Sequence, residues 1–517
     1  MNYKMMGRIF AEILALEAFF MLPPLFISVY DGVDDAAKAF LYTIGILIAV
    51  SAFLWLICRK AKRGFYAQEG IVCVGLGWIF LSLFGALPFF ISGEIPFYID
   101  AFFEMVSGFT TTGASIVPVV EDLSRGILYW RSFSHWLGGM GVLVFLLAIV
   151  PSNSKSGGSR LHLLKAESPG PDVGKLVPKM RDTAMILYVL YIALTLLNIL
   201  FLLAGKMPLF DALCTAFGTA GTGGFGIKND SIAGYSIYIQ WVCTVFMMLF
   251  GVNFNCYYLL IMRQFKALFK NEEVRCYFGI SIMSAALIAI DIRKIYPTIH
   301  ETIRHACFQV ASIMTTTGFA TTDFDTWPSF SKTILLTLMV IGACAGSTGG
   351  GLKCARVLLL FKNLRRNIHK ILHPRRVQVV HVDGTPVDEK IINGTSVYLA
   401  AYFILVVLSI LLISVDNKPL VTNLSAVLSC FNNIGPGLEI VGPTGNFSSY
   451  SAFSKLVLIF DMLAGRLEIF PILALISRGE KSLTHRIPHI YILSSRFRSG
   501  AFLRFASLSI GAQPIVI

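Results

Sequence analysis

The sequence predicts an all-α polytopic membrane protein. It is read as four parallel repeats of span, re-entrant half-helix and span around a central axis, preceded by two extra N-terminal spans. Three observations predict this. Of the 517 residues, 55% are hydrophobic and only 14% charged, with a mean hydropathy of +0.71; a soluble domain carries roughly 25% charged residues. The polar stretch Ser107-Gly108-Phe109-Thr110-Thr111-Thr112-Gly113-Ala114-Ser115 sits between apolar segments. Residues 96–106 before it are far short of the ~20 residues a crossing needs. Similar text returns as Ser312-Ile313-Met314-Thr315-Thr316-Thr317-Gly318, and more weakly as Thr219-Ala220-Gly221-Thr222-Gly223 and Ser429-Cys430-Phe431-Asn432-Asn433-Ile434-Gly435.

Residues 9–27 read as a first span, interrupted near its outer end by Pro23-Pro24. With no small-residue cleavage site behind it, it is a retained span rather than a signal peptide. A second span at 39–58 meets Arg59-Lys60-Ala61-Lys62-Arg63, which the positive-inside rule places in the cytoplasm along with the N-terminus. Residues 1–63 are therefore the extra helices. Repeat 1 (64–151) goes out at 70–91, dips at 97–109 and returns at 130–150; the basic loop 152–182 follows. Repeat 2 (183–275) has spans at 184–204 and 236–262 and a dip at 209–217. Repeat 3 (276–376) has spans at 278–292 and 332–361 and a dip after His300. Repeat 4 (377–478) has spans at 397–413 and 453–476 and a dip at 420–431. Every inner loop is basic, so ten spans and four half-spans leave both termini cytoplasmic. The repeats share one orientation, as parallel repeats about the membrane normal do. The tail 479–517 is basic and aromatic in part; a membrane-surface segment and a disordered one both fit it.

Composition also excludes. The net charge of +13 follows from basic inner loops, so nucleic-acid binding is not expected. Ten scattered cysteines without a C-x-x-C pair indicate neither zinc nor a disulfide framework. Nine dispersed histidines and no converging nucleophile–base cluster argue against an enzyme.

Non-helical backbone at membrane depth is tolerated only where protein buries it or water reaches it. Four such segments meeting at one axis would satisfy their carbonyls with ions and water. Glycine reaches φ > 0 without a Cβ penalty, and each half-helix would aim the negative end of its dipole at the axis. No acidic residue lies in any of the four cores. Carbonyl rings without carboxylates suit a weakly hydrated monovalent cation, so potassium is the favoured ion. Small-residue packing between helices would account for one such stretch, but not for four at matching positions.

These stretches resemble the Trk/Ktr/HKT superfamily of potassium transporters, and within it the membrane subunit of the bacterial Trk type. Further matching text is Trp130-Arg131-Ser132, His135-Trp136-Leu137-Gly138-Gly139-Met140-Gly141, Gly346-Ser347-Thr348-Gly349-Gly350-Gly351-Leu352-Lys353 and Gly465-Arg466-Leu467-Glu468. The resemblance covers 1–478, and the two extra spans favour Trk over Ktr. It implies four outer helix–pore helix–inner helix repeats around a central pore in the bacterial cytoplasmic (inner) membrane. Each repeat supplies one filter glycine: Gly113, Gly223, Gly318 and Gly435. The implied filter for K⁺ (or Rb⁺) comprises Thr111, Thr112, Gly113, Gly221, Thr222, Gly223, Thr316, Thr317, Gly318, Asn433, Ile434 and Gly435. Because the second copy continues to Gly224, either Gly223 or Gly224 fits the ion-facing place. Potassium is the only ligand implied, with no organic cofactor on this chain. Implied partners are a second copy, giving a homodimer, and a cytoplasmic RCK-type regulatory subunit binding ATP/ADP or NAD(H). The basic loops 263–275 and 362–376 suit its docking, and the positive-inside rule explains them equally.

The glycine cluster 342–351 interrupts an apolar span. Each glycine costs a helix about 1 kcal/mol against alanine, so the segment is expected to be an irregular loop across the path. A gate of Gly346, Ser347, Thr348, Gly349, Gly350 and Arg466 follows from the resemblance; a glycine-lined helix contact is the alternative. Arg466 inside a span reads as a fixed positive charge beneath the filter, or as the partner of Asp461 or Glu468. Lys353 is expected to snorkel, and Arg131 and His135 to brace the first repeat. Two functions fit: a gated potassium-conducting pore, or a proton- or sodium-coupled potassium symporter using Asp291 or Asp461.

Overall fold

The computed structural model describes residues 2–59, 67–139, 141, 180–375 and 378–473. Several expected features lie outside the described residues. They are the basic run after Arg59, the end of the repeat 1 inner span, nearly all of loop 152–182, Arg376 and the tail 479–517. The regular secondary structure of the described residues is helical apart from a hairpin pairing His381–Val382 with Thr385–Pro386.

Among the described residues, six helices are long and apolar enough to cross a membrane: Tyr3–Tyr30, Asp34–Cys58, Glu69–Ile91, Ala184–Ala204, Glu272–Lys294 and Glu389–Asp416. The first two are the extra N-terminal helices, stitched by a Ser51 hydroxyl that donates to the Ala11 carbonyl (2.7 Å). The prolines fall in the first turn of Leu22–Tyr30, where their missing N–H would have had no helical acceptor. The other four are the outer helices of the repeats. Between each and its inner partner lies a half-helix: Tyr98–Phe109, Leu209–Gly221, Ile299–Met314 and Leu420–Phe431. The fold is thus an all-α polytopic membrane protein of four span–half-helix–span repeats plus two extra helices. The circle closes where Lys455 of repeat 4 meets Asp100 of repeat 1 (2.6 Å) and Phe447 N–H donates to the Ser115 carbonyl (2.8 Å).

The inner helices depart from the reading of ten spans in which the glycine cluster of the third alone interrupts a helix. Instead the helices Arg125–Gly139, Ile237–Phe250, Ser329–Ile341 and Ala452–Arg466 are all 13 to 15 residues long, or about 20 Å. In repeat 2 a second helix, Phe254–Ile261, leaves at 91°. In repeat 3 a loop precedes Cys354–Leu372. In repeat 4 the chain turns through positive φ at Glu468 (55°) and Ile469 (66°). Apolar residues continue past these breaks, so hydropathy cannot register them. Packing does: Gly138 and Gly465 lie so close to the Phe109 and Phe431 carbonyls at the half-helix ends that any Cβ would collide there.

Gly465→Ala is therefore expected to cost about 1–3 kcal/mol through overpacking, seen as a lowered thermal midpoint of the purified protein. Gly279→Ala, inside a helix where a Cβ meets nothing within 4 Å, should instead hold or raise the midpoint.

Candidate functional site

The four half-helices end in one repeated turn, and its hydrogen bonds fix the register between repeats. Thr111, Thr222, Thr316 and Asn433 all sit at φ 55–57°. Their N–H groups donate three residues back, to Gly108, Thr219, Ile313 and Cys430. The N–H groups of Thr112, Gly223, Thr317 and Ile434 donate five residues back, to Ser107, Gly218, Ser312 and Ser429, at 2.8–2.9 Å. The next residues are Gly113, Gly224, Gly318 and Gly435, all at positive φ (80°, 33°, 84° and 106°).

These four glycines form a closed ring. A Cβ on Gly113 would lie 3.0 Å from the Gly223 carbonyl oxygen, and one on Gly435 would lie 2.8 Å from that of Thr112. On Gly224 and Gly318 it would collide with the Thr317 and Ile434 carbonyls. Each glycine thus faces the carbonyl before the glycine of the next repeat. A cavity of about 170 Å³ opens over Gly113, Gly224, Gly318 and Gly435 together. This corrects the second repeat, whose equivalent set is Thr222, Gly223 and Gly224 rather than Gly221, Thr222 and Gly223. The glycine-rich spelling does not separate them because Gly221 and Gly223 must also be glycine to pack against His135. A Cβ on either would strike His135, at its carbonyl and its ring respectively.

Behind the ring, side chains hold the turns. Arg131, buried at 2% exposure, meets buried Glu104 at 2.5 Å and donates to the Gly226 carbonyl at 2.8 Å. Its guanidinium lies 3.7 Å from the centre of the Phe225 ring. Glu104 also accepts from Ile116 N–H (2.9 Å) and the Ser115 hydroxyl (3.0 Å). His135 accepts from Phe225 N–H at Nε2 (3.3 Å), which places its proton on Nδ1, facing the Gly108 carbonyl at 2.8 Å. Both residues therefore brace repeats 1 and 2 against each other. Asn433 ties repeat 4 to repeat 1 by donating to the Thr112 hydroxyl (3.0 Å) and the Met462 carbonyl (2.9 Å).

The glycine cluster of repeat 3 is a loop on the half-helix side of the ring, opposite the cavity. It begins at Gly342 (φ 71°) and ends before Cys354. Gly350 N–H donates to the Thr316 hydroxyl (2.7 Å), and a Cβ on Gly349 would lie 2.9 Å from the Thr315 carbonyl. The loop also fills the break in the repeat 2 inner helix. Cys344 N–H donates to the Gly251 carbonyl (3.1 Å), Phe254 N–H to that of Gly346 (3.0 Å), and the Thr348 hydroxyl to that of Phe250 (3.3 Å). Ser347 caps its own turn through the Cys344 carbonyl (2.7 Å).

Arg466 donates to the Thr348 carbonyl (2.9 Å), the Gly139 carbonyl (2.9 Å) and the Gly138 carbonyl. It joins the loop to the end of the repeat 1 inner helix. The acids suggested as its partners are engaged elsewhere: Glu468 pairs with Arg356, and Asp461 accepts from the Ser409 hydroxyl (2.6 Å). Lys353 does not snorkel but folds back onto the Gly349 carbonyl. Asp291 accepts from the N–H and hydroxyl of Ser331 (3.2 and 2.6 Å), as a residue tying helix ends does.

Sequence reasoning missed Glu104 and also Glu273, whose carboxylate accepts from the loop's Ala345 N–H (2.5 Å). Glu104 had a usable signal, an acid inside an apolar half-helix in a chain that also carries Arg131 within a span. Removing one partner of a buried pair costs about 3–5 kcal/mol. Arg131→Met should therefore strongly lower folded yield and melting temperature, and Arg131→Met with Glu104→Gln should recover most of the loss.

Comparison with known proteins places this arrangement. The family model TrkH, described as a cation transport protein, matches residues 36–283 and 292–482. The Trk system potassium uptake protein TrkH of Salmonella typhimurium is 35% identical over 483 residues, covering 92% of this chain and 98% of that one. The Trk system potassium uptake protein TrkG of Escherichia coli is 31% identical, covering 88% and 94%. The crystal structure of the potassium transporter TrkH from Vibrio parahaemolyticus superposes with a TM-score of 0.82 at 32% identity, covering 92% and 98%. Four glycine-centred turns in one chain, closed into a ring above an irregular loop, accordingly belong to a transport protein and not an enzyme: the chain is a member of the TrkH family of cation transport proteins.

Proposed function

We propose that this chain takes up potassium across a bacterial cytoplasmic membrane, with both termini inside, through a filter formed by the four turns. The observation that carries the reading is the closed glycine ring. Four positive-φ glycines approach neighbouring carbonyls, no carboxylate lies within the turns, and four half-helix C-termini converge on them. Such a site replaces the hydration shell of a large monovalent cation with backbone oxygens. The relatives named for potassium uptake support the same ion. The filter set is Thr111–Gly113, Thr222–Gly224, Thr316–Gly318 and Asn433–Gly435, within the four repeat units drawn from the sequence. One glycine per repeat guarantees few stacked carbonyl rings, so K⁺/Na⁺ discrimination is modest.

The gate in this reading is the loop 342–353. Its closed position is held by Thr316, Arg466 and the repeat 2 break, and the Arg466 charge raises the barrier to cations. A cytoplasmic nucleotide-binding subunit of the RCK type, acting on a homodimer, would move the helix Cys354–Leu372 and draw the loop aside. The coupled alternative rests on Asp461, which is fully buried and has one carboxylate oxygen without a hydrogen-bond partner. Channel-sized single-molecule currents from purified protein in bilayers would exclude obligatory coupling.

Gly224→Ser and Gly113→Ser are each expected to lower K⁺/Na⁺ discrimination in bi-ionic reversal potentials. Unchanged potentials for both would sink the filter assignment. Deleting 345–348, or replacing Arg466 by Ala, should raise rubidium uptake into vesicles and relieve its dependence on the regulatory subunit. A folded deletion variant that stays closed would place the gate elsewhere.

A further inference from the structure

The loop 342–353 is gripped from a second side, away from Arg466. Glu273 is the second residue of the helix Glu272–Asp291 and is 7% exposed. One of its carboxylate oxygens accepts two backbone N–H groups, from Ala345 at 2.5 Å and from Ala355 at 3.2 Å. Ala345 lies within the loop; Ala355 lies in the first turn of Cys354–Leu372, the helix that leaves the loop. First-turn amides have no acceptor inside their own helix, and the positive end of the helix dipole favours a carboxylate there. One oxygen on the outer helix thus pins both limbs of the loop.

The surroundings make this grip sensitive to movement of Cys354–Leu372. Glu272, next in sequence, pairs with Lys362 of that helix, and Lys362 also donates to the His381 carbonyl (2.7 Å). Asp383, at the hairpin turn, accepts from Glu272 N–H (2.7 Å) and the Asn271 side chain (3.0 Å). The hairpin, the start of the outer helix and the helix after the loop therefore form one polar cluster. Glu273 is the point at which that cluster reaches the loop.

We propose that Glu273 is the latch of the closed loop, a positioning residue that releases Ala345 when Cys354–Leu372 shifts against Glu272–Asp291. The inference rests on the gate reading above. Because both amides share one oxygen, a shift that draws Ala355 away also pulls the carboxylate off Ala345. Losing either amide is costly to a buried carboxylate, so the two contacts on the shared oxygen are weakened together.

The test uses the full chain in lipid vesicles, with rubidium uptake measured without any partner protein. Three variants are compared: Glu273→Ala, Glu273→Gln and the deletion of 345–348. Glu273→Ala is expected to raise uptake by about tenfold, a change well within what a two-state gate can show. Glu273→Gln keeps an acceptor oxygen and should give a clearly smaller rise. Hydrogen exchange across 343–356 should quicken in the same order. If the deletion conducts while Glu273→Ala and Glu273→Gln keep native uptake and native protection, the latch is wrong and the gate stands. If the folded deletion variant is itself silent, the gate fails and the latch with it. Should Glu273→Ala not fold, the glutamine variant decides: native exchange and native uptake in it overturn the proposal.

Discussion

Each ring glycine rests against the carbonyl that precedes the next ring glycine, and that contact exists only while all four turns keep one register. From Gly113 to Gly223, Gly224 to Thr317, Gly318 to Ile434 and Gly435 to Thr112, the ring has no slack position. A Cβ at any of the four meets backbone and not a side chain that can swing away. Positive φ adds a second, independent demand for glycine. The fourfold character therefore resides in main-chain geometry.

The side chains behind the ring do not share that symmetry. Repeats 1 and 3 place paired hydroxyls behind the turn, Thr110 with Thr112 and Thr315 with Thr317, each pair at 2.8 Å. Repeat 4 uses Asn432 and Asn433, whose amides reach Tyr402 and Thr112. Repeat 2 has only small residues there and borrows His135 from repeat 1. Irregular backbone in a membrane needs every N–H and C=O satisfied, but it does not matter which donor satisfies them. Selection can vary the braces as long as the turns they hold superpose.

That asymmetry explains what could be read from the sequence. The half-helices were legible because a short apolar run ending in Thr/Gly text is a local signal. An irregular segment at 342–351 was legible because a glycine cluster cannot remain helical; the structure carries it on to Lys353. The ring register in repeat 2 was not legible, because Gly221, Gly223 and Gly224 look alike on paper and only the packing of His135 separates them. Nor were the breaks after Phe250 and Arg466, since Phe254–Ile261 is still strongly apolar. These features depend on what lies across the space, at the ends of half-helices far away in sequence.

The loop beneath the ring obeys the same constraint with one difference. Its amides and carbonyls are held in large part by groups outside the loop: the Thr316 hydroxyl for Gly350 and Glu273 for Ala345 within repeat 3, Arg466 of repeat 4 for Thr348, and the Gly251 and Phe254 backbone of repeat 2 for Cys344 and Gly346. None of these partners belongs to the loop's own helix, so none is lost or gained by helix formation. In the gate reading proposed above, water would replace each one as the loop leaves the ring. The closed arrangement would then be a defined state that can still be exchanged. Arg466 suits this position better than lysine would. Its planar donors reach Thr348 and Gly139 at once, so the charge stays fixed between repeat 3 and repeat 1 while the loop is in place.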